Sequence, residues 1–161
     1  MKTYVITLSK VFPATHPRAG QPTGFFDKFM AGQADSRKGW LVSPKLHTIR
    51  ANYALWAERI AKVQRGEAVL SVRQWLGRPY MSKQVTIATL TAEDGVGLQQ
   101  LTDIDTNAYC FYPCVRIDKR AIDKVLVANN DGLSLDDWRE WFKKYDHTKP
   151  LAIIHFTSFR Y

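Results

Sequence analysis

Two alternating segments joined by a tight turn constrain this chain more than any other feature in it. "EAVLSVRQW" sets Ala68, Leu70 and Val72 against Val69, Ser71 and Arg73, and "QVTIATLTA" takes up the same two-residue period shortly after. That period belongs to a strand, whose successive side chains point to opposite faces. "LGRPYMSK" turns the chain between them, so the pair reads as an antiparallel hairpin. A lone hairpin is marginal in water and needs further strands or a helix against its apolar face.

The rest of the chain offers both. Tyr4, Ile6 and Leu8 alternate with Val5 and Thr7 in a first strand. "SKVFPATHPRAGQPTG" holds three prolines and two glycines and reads as a long loop over 9–23, a lid or an ordered arm, because proline fixes φ and removes a ladder donor. "GFFDKFMAG" reads as a short helix with Phe25, Phe26 and Phe29 to one side. "ANYALWAERIAKVQRG" is a better one: Tyr53, Trp56, Ile60 and Val63 recur at helical spacing, and Gly66 stands where a C-terminal cap belongs. "NAYCFYPCVRID" reads as a strand and "KRAIDKVLVANN" as a short helix carrying Ile122, Val125 and Leu126. In "NDGLSLDDWREWFKKY", Ser134 can cap, Asp136 and Asp137 fill the first turn, and Lys143 and Lys144 the last, matching the helix dipole. "PLAIIHFTSF" closes the chain as a strand.

The resulting order, β-α-β-α-β-β-β-α-α-β, lacks repeats, linkers and low-complexity segments. It predicts one α+β domain over 1–161 with a small curved or closed sheet. With 161 residues, 45% of them hydrophobic, the chain can bury one sizeable core. No apolar run approaches the ~20 residues of a membrane helix. The start reads as a strand and not as a secretory leader, so a cytoplasmic location with no membrane partner is expected.

The net charge of +8 favours polyanionic partners: RNA, DNA or a nucleotide-like ligand. Cys110 and Cys114 stand alone, with no histidine spacing to complete a metal site, and read as core or half-buried thiols; no metal or cofactor is expected. Walker, Rossmann and zinc-hydrolase motifs do not occur, and His16, His147 and His155 give no triad spacing.

Three stretches carry chemistry. In "SPKLHTIR", strand parity puts Thr48 and Arg50 on one face, with His47 and Ile49 on the other. Lys45 breaks that parity but follows Pro44, so it can swing from the entering turn toward the threonine. A threonine hydroxyl needs a base to become a nucleophile, and a lysine serves only when burial or a nearby cation depresses its pKa. Arg50 can supply that cation or bind a carbonyl or phosphate oxygen. The plainer reading is a polar edge strand. In "RQWLGRPYMSKQ", Arg73, Arg78 and Lys83 flank Trp75 and Tyr80, a mixture that suits base stacking and phosphate contact, or equally a core tryptophan beneath a solvated tip. "NNDGLS" sets Asp131 before Gly132, which is ordinary turn chemistry or a site carboxylate.

Together these pieces resemble the ASCH domain, a branch of the PUA-like β-barrel superfamily associated with RNA and modified nucleosides. "KLHTIR" looks like that family's Lys-x-x-(Glu or Thr)-x-Arg strand, "FFDKFMAG" like its short helix ending in Ala-Gly, and "IIHFTSF" like its last barrel strand. "GRPYMSKQ" and "NDGLSLDDWREWF" are similar to segments of phage and bacterial members, so the likeness runs in order through most of 25–159. The resemblance implies a PUA-like barrel with peripheral helices, a motif strand over 45–50, and binding of RNA or a modified nucleoside.

One bacterial type in that family is an acetylcytidine amidohydrolase with a Lys-x-x-Thr-x-Arg strand. By that resemblance Lys45 is the base, Thr48 the nucleophile and Arg50 the orienting arginine, while Asp131 falls near the catalytic glutamate. Asp131 is one methylene shorter, about 1.5 Å less in reach. Pro44 and Leu46 also depart from the usual flanks, and the chain is longer in its N-terminal loop and in 93–120. Three functions stay open: nucleic-acid or nucleoside binding in a basic cleft, amidohydrolysis in the same cleft, and protein interaction through the proline-rich loop.

Overall fold

A computed structural model describes residues 1–34, 43–104 and 113–161. In chain order the elements are β1 (Lys2–Thr7), α1 (Phe25–Gln33), β2 (His47–Arg50), α2 (Tyr53–Gln64), β3 (Ala68–Trp75), β4 (Gln84–Leu90), a 3-10 turn (Ala92–Asp94), β5 (Gly97–Thr102), β6 (Cys114–Ile117), β7 (Arg120–Asp123), α3 (Lys124–Asn130), α4 (Leu135–Phe142) and β8 (Leu151–His155). The strands form two sheets, ordered β1-β3-β4 and β2-β8-β5-β6-β7. The expected hairpin is present: β3 and β4 pair antiparallel, with a register shift at Val72/Arg73. β1 lies parallel to β3 on its other side.

The α+β class holds, and the closed sheet does not. Among the described residues β1 pairs only with β3 and β2 only with β8, so neither sheet's edges meet to complete a barrel. One apolar cluster nonetheless draws on both sheets and all four helices, including Ile6, Phe29, Ile60, Leu70, Val127, Trp138 and Ile153. The helix α2 joins the sheets by packing its buried Trp56, Ile60 and Val63 against β3, β5 and β8. Among the described residues, no helix is long and apolar enough to cross a membrane.

Several local expectations change. In α1 the buried rings are Phe25 and Phe29, four residues apart, while Phe26 lies about 100° round the helix and is exposed. The segment expected to be one helix from 119 begins as a strand. Asp118 and Lys119 both take positive φ, 46° and 69°, making a two-residue turn that pairs Ile117 with Arg120. The α3 helix therefore starts only at Lys124, and its buried side is Lys124, Val127 and Ala128, not Val125 and Leu126. The strand β5 was not anticipated because Gln99 and Gln100 dilute its apolar period. Gln99 is buried and satisfied: its amide donates to Asp118 and its carbonyl oxygen accepts from the Tyr161 amide. Cys114 is buried and disulfide-bonded, which corrects the free thiol expected there. Cys110 and much of the strand expected over 107–118 lie outside the described residues.

Candidate functional site

Lys45 is fixed by backbone contacts on several sides. Its amide donates to the Lys28 carbonyl at 2.8 Å, the Leu46 amide to the Asn130 carbonyl at 2.7 Å, and the Phe156 amide to the Leu46 carbonyl at 3.0 Å. The entry to β2 is thereby tied to α1, α3 and the end of β8. α1 approaches this closely because Gly32 has no side chain; a Cβ there would stand 2.6 Å from the Lys45 carbonyl oxygen.

Asp131 arrives by way of a helix cap. Gly132, at φ 85°, lets the chain reverse after α3, with its own amide donating to Asn129 and the Leu133 amide to Ala128. These two bonds make a Schellman cap. The Asp-Gly pair is therefore turn chemistry and site chemistry at once. The Lys45 Nζ donates to Asp131 Oδ1 at 2.6 Å and also to the Asp131 carbonyl. The ammonium lies 4.3 Å from the centre of the Phe25 ring. Both side chains are buried. Burial pushes Lys45 below the ordinary lysine range and Asp131 above the ordinary carboxylate range, while the opposite charge of each partner pulls the other way.

Thr48 and Arg50 line one recess together with Lys45 and Asp131, and Ile49, expected on the opposite face, lines it as well. That recess is small, about 20 Å³, close to the space of one water molecule and far below that of a nucleobase. It adjoins a cleft of about 880 Å³, and Ser9, Arg50 and Trp141 line both. The cleft's walls are the start of the proline-rich loop (9–15), the hairpin residues Trp75 and Tyr80, and the end of α4 with Lys143, Lys144 and Tyr145. The Arg50 guanidinium donates to the Thr7 carbonyl at 2.8 Å and the Ile49 carbonyl at 3.2 Å.

No protein-family model, curated protein or solved structure matches the chain. Its chemistry has to be read from the site itself.

Among the residues singled out by sequence, Lys45, Thr48, Arg50 and Asp131 meet at the recess. Trp75 and Tyr80 line the cleft, with ring centroids 5.2 Å apart. Arg73, Arg78 and Lys83 line neither space. The Arg73 Nε donates to Ser71 Oγ, and Arg78 and Lys83 lie exposed around the hairpin turn. The proline-rich loop is a wall of the cleft and not a free arm. Val11 bridges Pro22, Phe12 is buried, and buried His16 accepts from the Arg18 amide at Nδ1 and donates to the Asp137 carbonyl from Nε2.

Sequence reasoning missed Lys10, Trp141 and Tyr145, and gave Lys143 and Lys144 only a role at the helix end. "WFKKY" has the same aromatic and basic mixture as the hairpin tip, which was the available signal. α4 stops at Phe142, so the residues after it leave the helix and line the cleft.

Behind Asp131 lies a second buried group. His47 Nε2 is 2.6 Å from the Tyr161 hydroxyl, which also accepts from Asn130 Nδ2 at 3.1 Å. His47 Nδ1 is 3.8 Å from Asp131 Oδ1. His155 packs edge-on against His47, and both of its ring nitrogens are buried with no hydrogen-bond partner among the described residues. Burial, with the neighbouring His155, holds His47 well below the usual histidine range, so the contact with Asp131 is not an ion pair. Burial likewise pushes His155 down to about 3. Among the described residues, no group of three or more His, Cys, Asp or Glu side chains is placed to hold a metal ion.

Proposed function

We propose that this chain is an ASCH-like member of the PUA-like group that binds single-stranded RNA or a modified nucleoside in the cleft beside β2. One observation carries the reading: aromatic rings and cations together line one cleft of about 880 Å³. Trp75, Tyr80, Trp141 and Tyr145 offer faces on which bases stack, and Lys10, Arg50, Lys143 and Lys144 offer charge to a backbone. Stacking tolerates any base, so the cleft selects for unpaired nucleotides before it selects for sequence.

The test is anisotropy of a labelled single-stranded RNA, and of the matching DNA, across a salt series. Four cations meeting phosphates give a slope of log K against log salt of about −3. Lack of binding at low salt, or affinity indifferent to salt, rules out RNA as the ligand.

A second reading, deacylation of an N-acetylated cytidine-type nucleoside, is favoured by the convergence of Lys45, Thr48 and Asp131 on one recess. Burial disfavours both charges of the Lys45–Asp131 pair, so Nζ can pass a proton to Oδ1 and be left neutral. The neutral amine takes the Thr48 hydroxyl proton as the oxygen attacks the acyl carbon. The C–N bond then breaks, the departing cytosine amine takes that proton from Nζ, and water hydrolyses the threonine ester to release acetate. The recess, with room for one water molecule, can take at most the acyl oxygen, leaving the rest of the substrate in the larger cleft. Incubation with acylated nucleosides decides this reading: acetate release abolished in Thr48→Ala and Lys45→Ala supports it, and no release from any of them ends it.

A further inference from the structure

The charges around the cleft do not cancel, and the imbalance is greatest at its innermost point. Lys45 and Asp131 neutralise each other at 2.6 Å. Arg50, on the same recess, has no such partner. Its two hydrogen bonds go to backbone carbonyls, those of Thr7 and Ile49, and no carboxylate lies within ion-pair distance among the described residues. A guanidinium carries five N–H donors in a planar fork, so donors remain for a ligand after those two bonds. A cation held in a poorly hydrated site without a counter-charge is costly, and an anion from solution relieves that cost.

The rim repeats the pattern. Lys10, Lys143 and Lys144 line the cleft against one acid, Glu140. Glu140 lies 3.5 Å from Lys143, both near the surface, and among the described residues Lys10 donates only to the Leu76 carbonyl. Stacking rings account for a base in such a cleft, but they leave this surplus of positive charge unused.

We infer that the ligand of this cleft is a phosphorylated nucleotide, with Arg50 as the innermost phosphate-binding group and the rim lysines as secondary ones. The inference rests on the nucleotide-binding reading above and narrows it: an uncharged nucleoside fills the aromatic part of the cleft and leaves Arg50 without its anion. Arg50 binds by its fork, accepting no proton and donating to two phosphate oxygens. Its carbonyl partners on β1 and β2 hold the fork in place beforehand.

Calorimetric titration of the intact chain with cytidine, cytidine 5′-monophosphate and inorganic phosphate tests this at low salt. The expected result is that the monophosphate binds at least tenfold more tightly than cytidine, that inorganic phosphate competes with it, and that raising salt removes the difference. Arg50→Met removes the tenfold advantage of the monophosphate over cytidine. Because Arg50 also ties β2 to the Thr7 carbonyl, that variant can lose its fold, so Lys144→Gln serves beside it and narrows the monophosphate's advantage over cytidine several-fold. A monophosphate that binds no better than cytidine, including failure of both to bind, overturns the inference. It leaves the broader reading standing if single-stranded RNA binds with the steep salt slope, and if RNA fails as well, that reading falls separately.

Discussion

Lys45 and Asp131, 86 residues apart in sequence, form a buried pair in which the Nζ donates both to the carboxylate at 2.6 Å and to the backbone carbonyl of the same residue. The double contact fixes the lysine against a helix cap instead of a flexible acid. Arg50 and Thr48 then face the recess beside it, and the large cleft opens past Arg50.

Breaking this pair from one side leaves a buried charge uncompensated. Asp131→Ala is expected to destabilise the chain by ~3–5 kcal/mol in urea unfolding, whereas Lys45→Met/Asp131→Leu, which removes both charges, recovers most of that loss. Equal destabilisation by the single and double variants would show that the pair's charges do not govern stability here.

The two buried histidines set a limit on acid stability. Unfolded histidine takes up a proton near pH 6.5, whereas folded His155 does so only near 3. Between those values the unfolded chain binds more protons, so stability falls as pH is lowered through the window and is intact above it. By pH 4.5 the loss from His155 alone is ~3 kcal/mol. Lys45 is held low by the same burial and acts in the same sense at alkaline pH, while Asp131, held high, acts in the opposite sense above its unfolded value. Melting temperature measured from pH 7 to 4 should fall steeply in the native chain and less in His155→Leu. A flat native curve would mean that the histidines are not held neutral.

The cap at Gly132 can be probed against an unencumbered control. Gly132 and Gly20 share nearly the same φ, 85° and 80°, but a Cβ at Gly132 would stand 3.3 Å from the Phe25 ring and 3.4 Å from Lys45 Cβ, while Gly20 faces open space. Gly20→Ala is expected to cost only the left-handed strain, ~1–2 kcal/mol. Gly132→Ala should cost measurably more by thermal unfolding and should also weaken ligand binding through Lys45. Equal costs would place the cap outside the site's support.

Much of this was legible in the sequence where one residue type has one physical use. The period-two alternation of 68–75 and 84–90 announced the hairpin, and the parity of Thr48 and Arg50 announced their shared face. Ser134 capped as expected, accepting from the Asp137 amide, and Gly66 follows α2 at φ 75°. What stayed hidden depended on distant partners. Gln99 is a polar residue in a strand interior because Asp118 and Tyr161 satisfy it. Asp118 and Lys119 form a tight turn without the usual Asn-Gly signal. Lys143 and Lys144 complement a helix dipole in any sequence, and only the end of α4 at Phe142 turns them to the cleft. Arg73, Arg78 and Lys83 went the other way: proximity in sequence to Trp75 and Tyr80 did not bring their charges into the same space.

The most direct measurement is two-dimensional NMR of the tryptophan indole N–H groups during titration with a short single-stranded RNA at low salt. Trp75 and Trp141 line the cleft, whereas Trp56 and Trp138 are buried in the core. The proposed function predicts saturable shifts of the Trp75 and Trp141 signals, with those of Trp56 and Trp138 unmoved. Shifts confined to other residues, or none at saturating ligand, would contradict it.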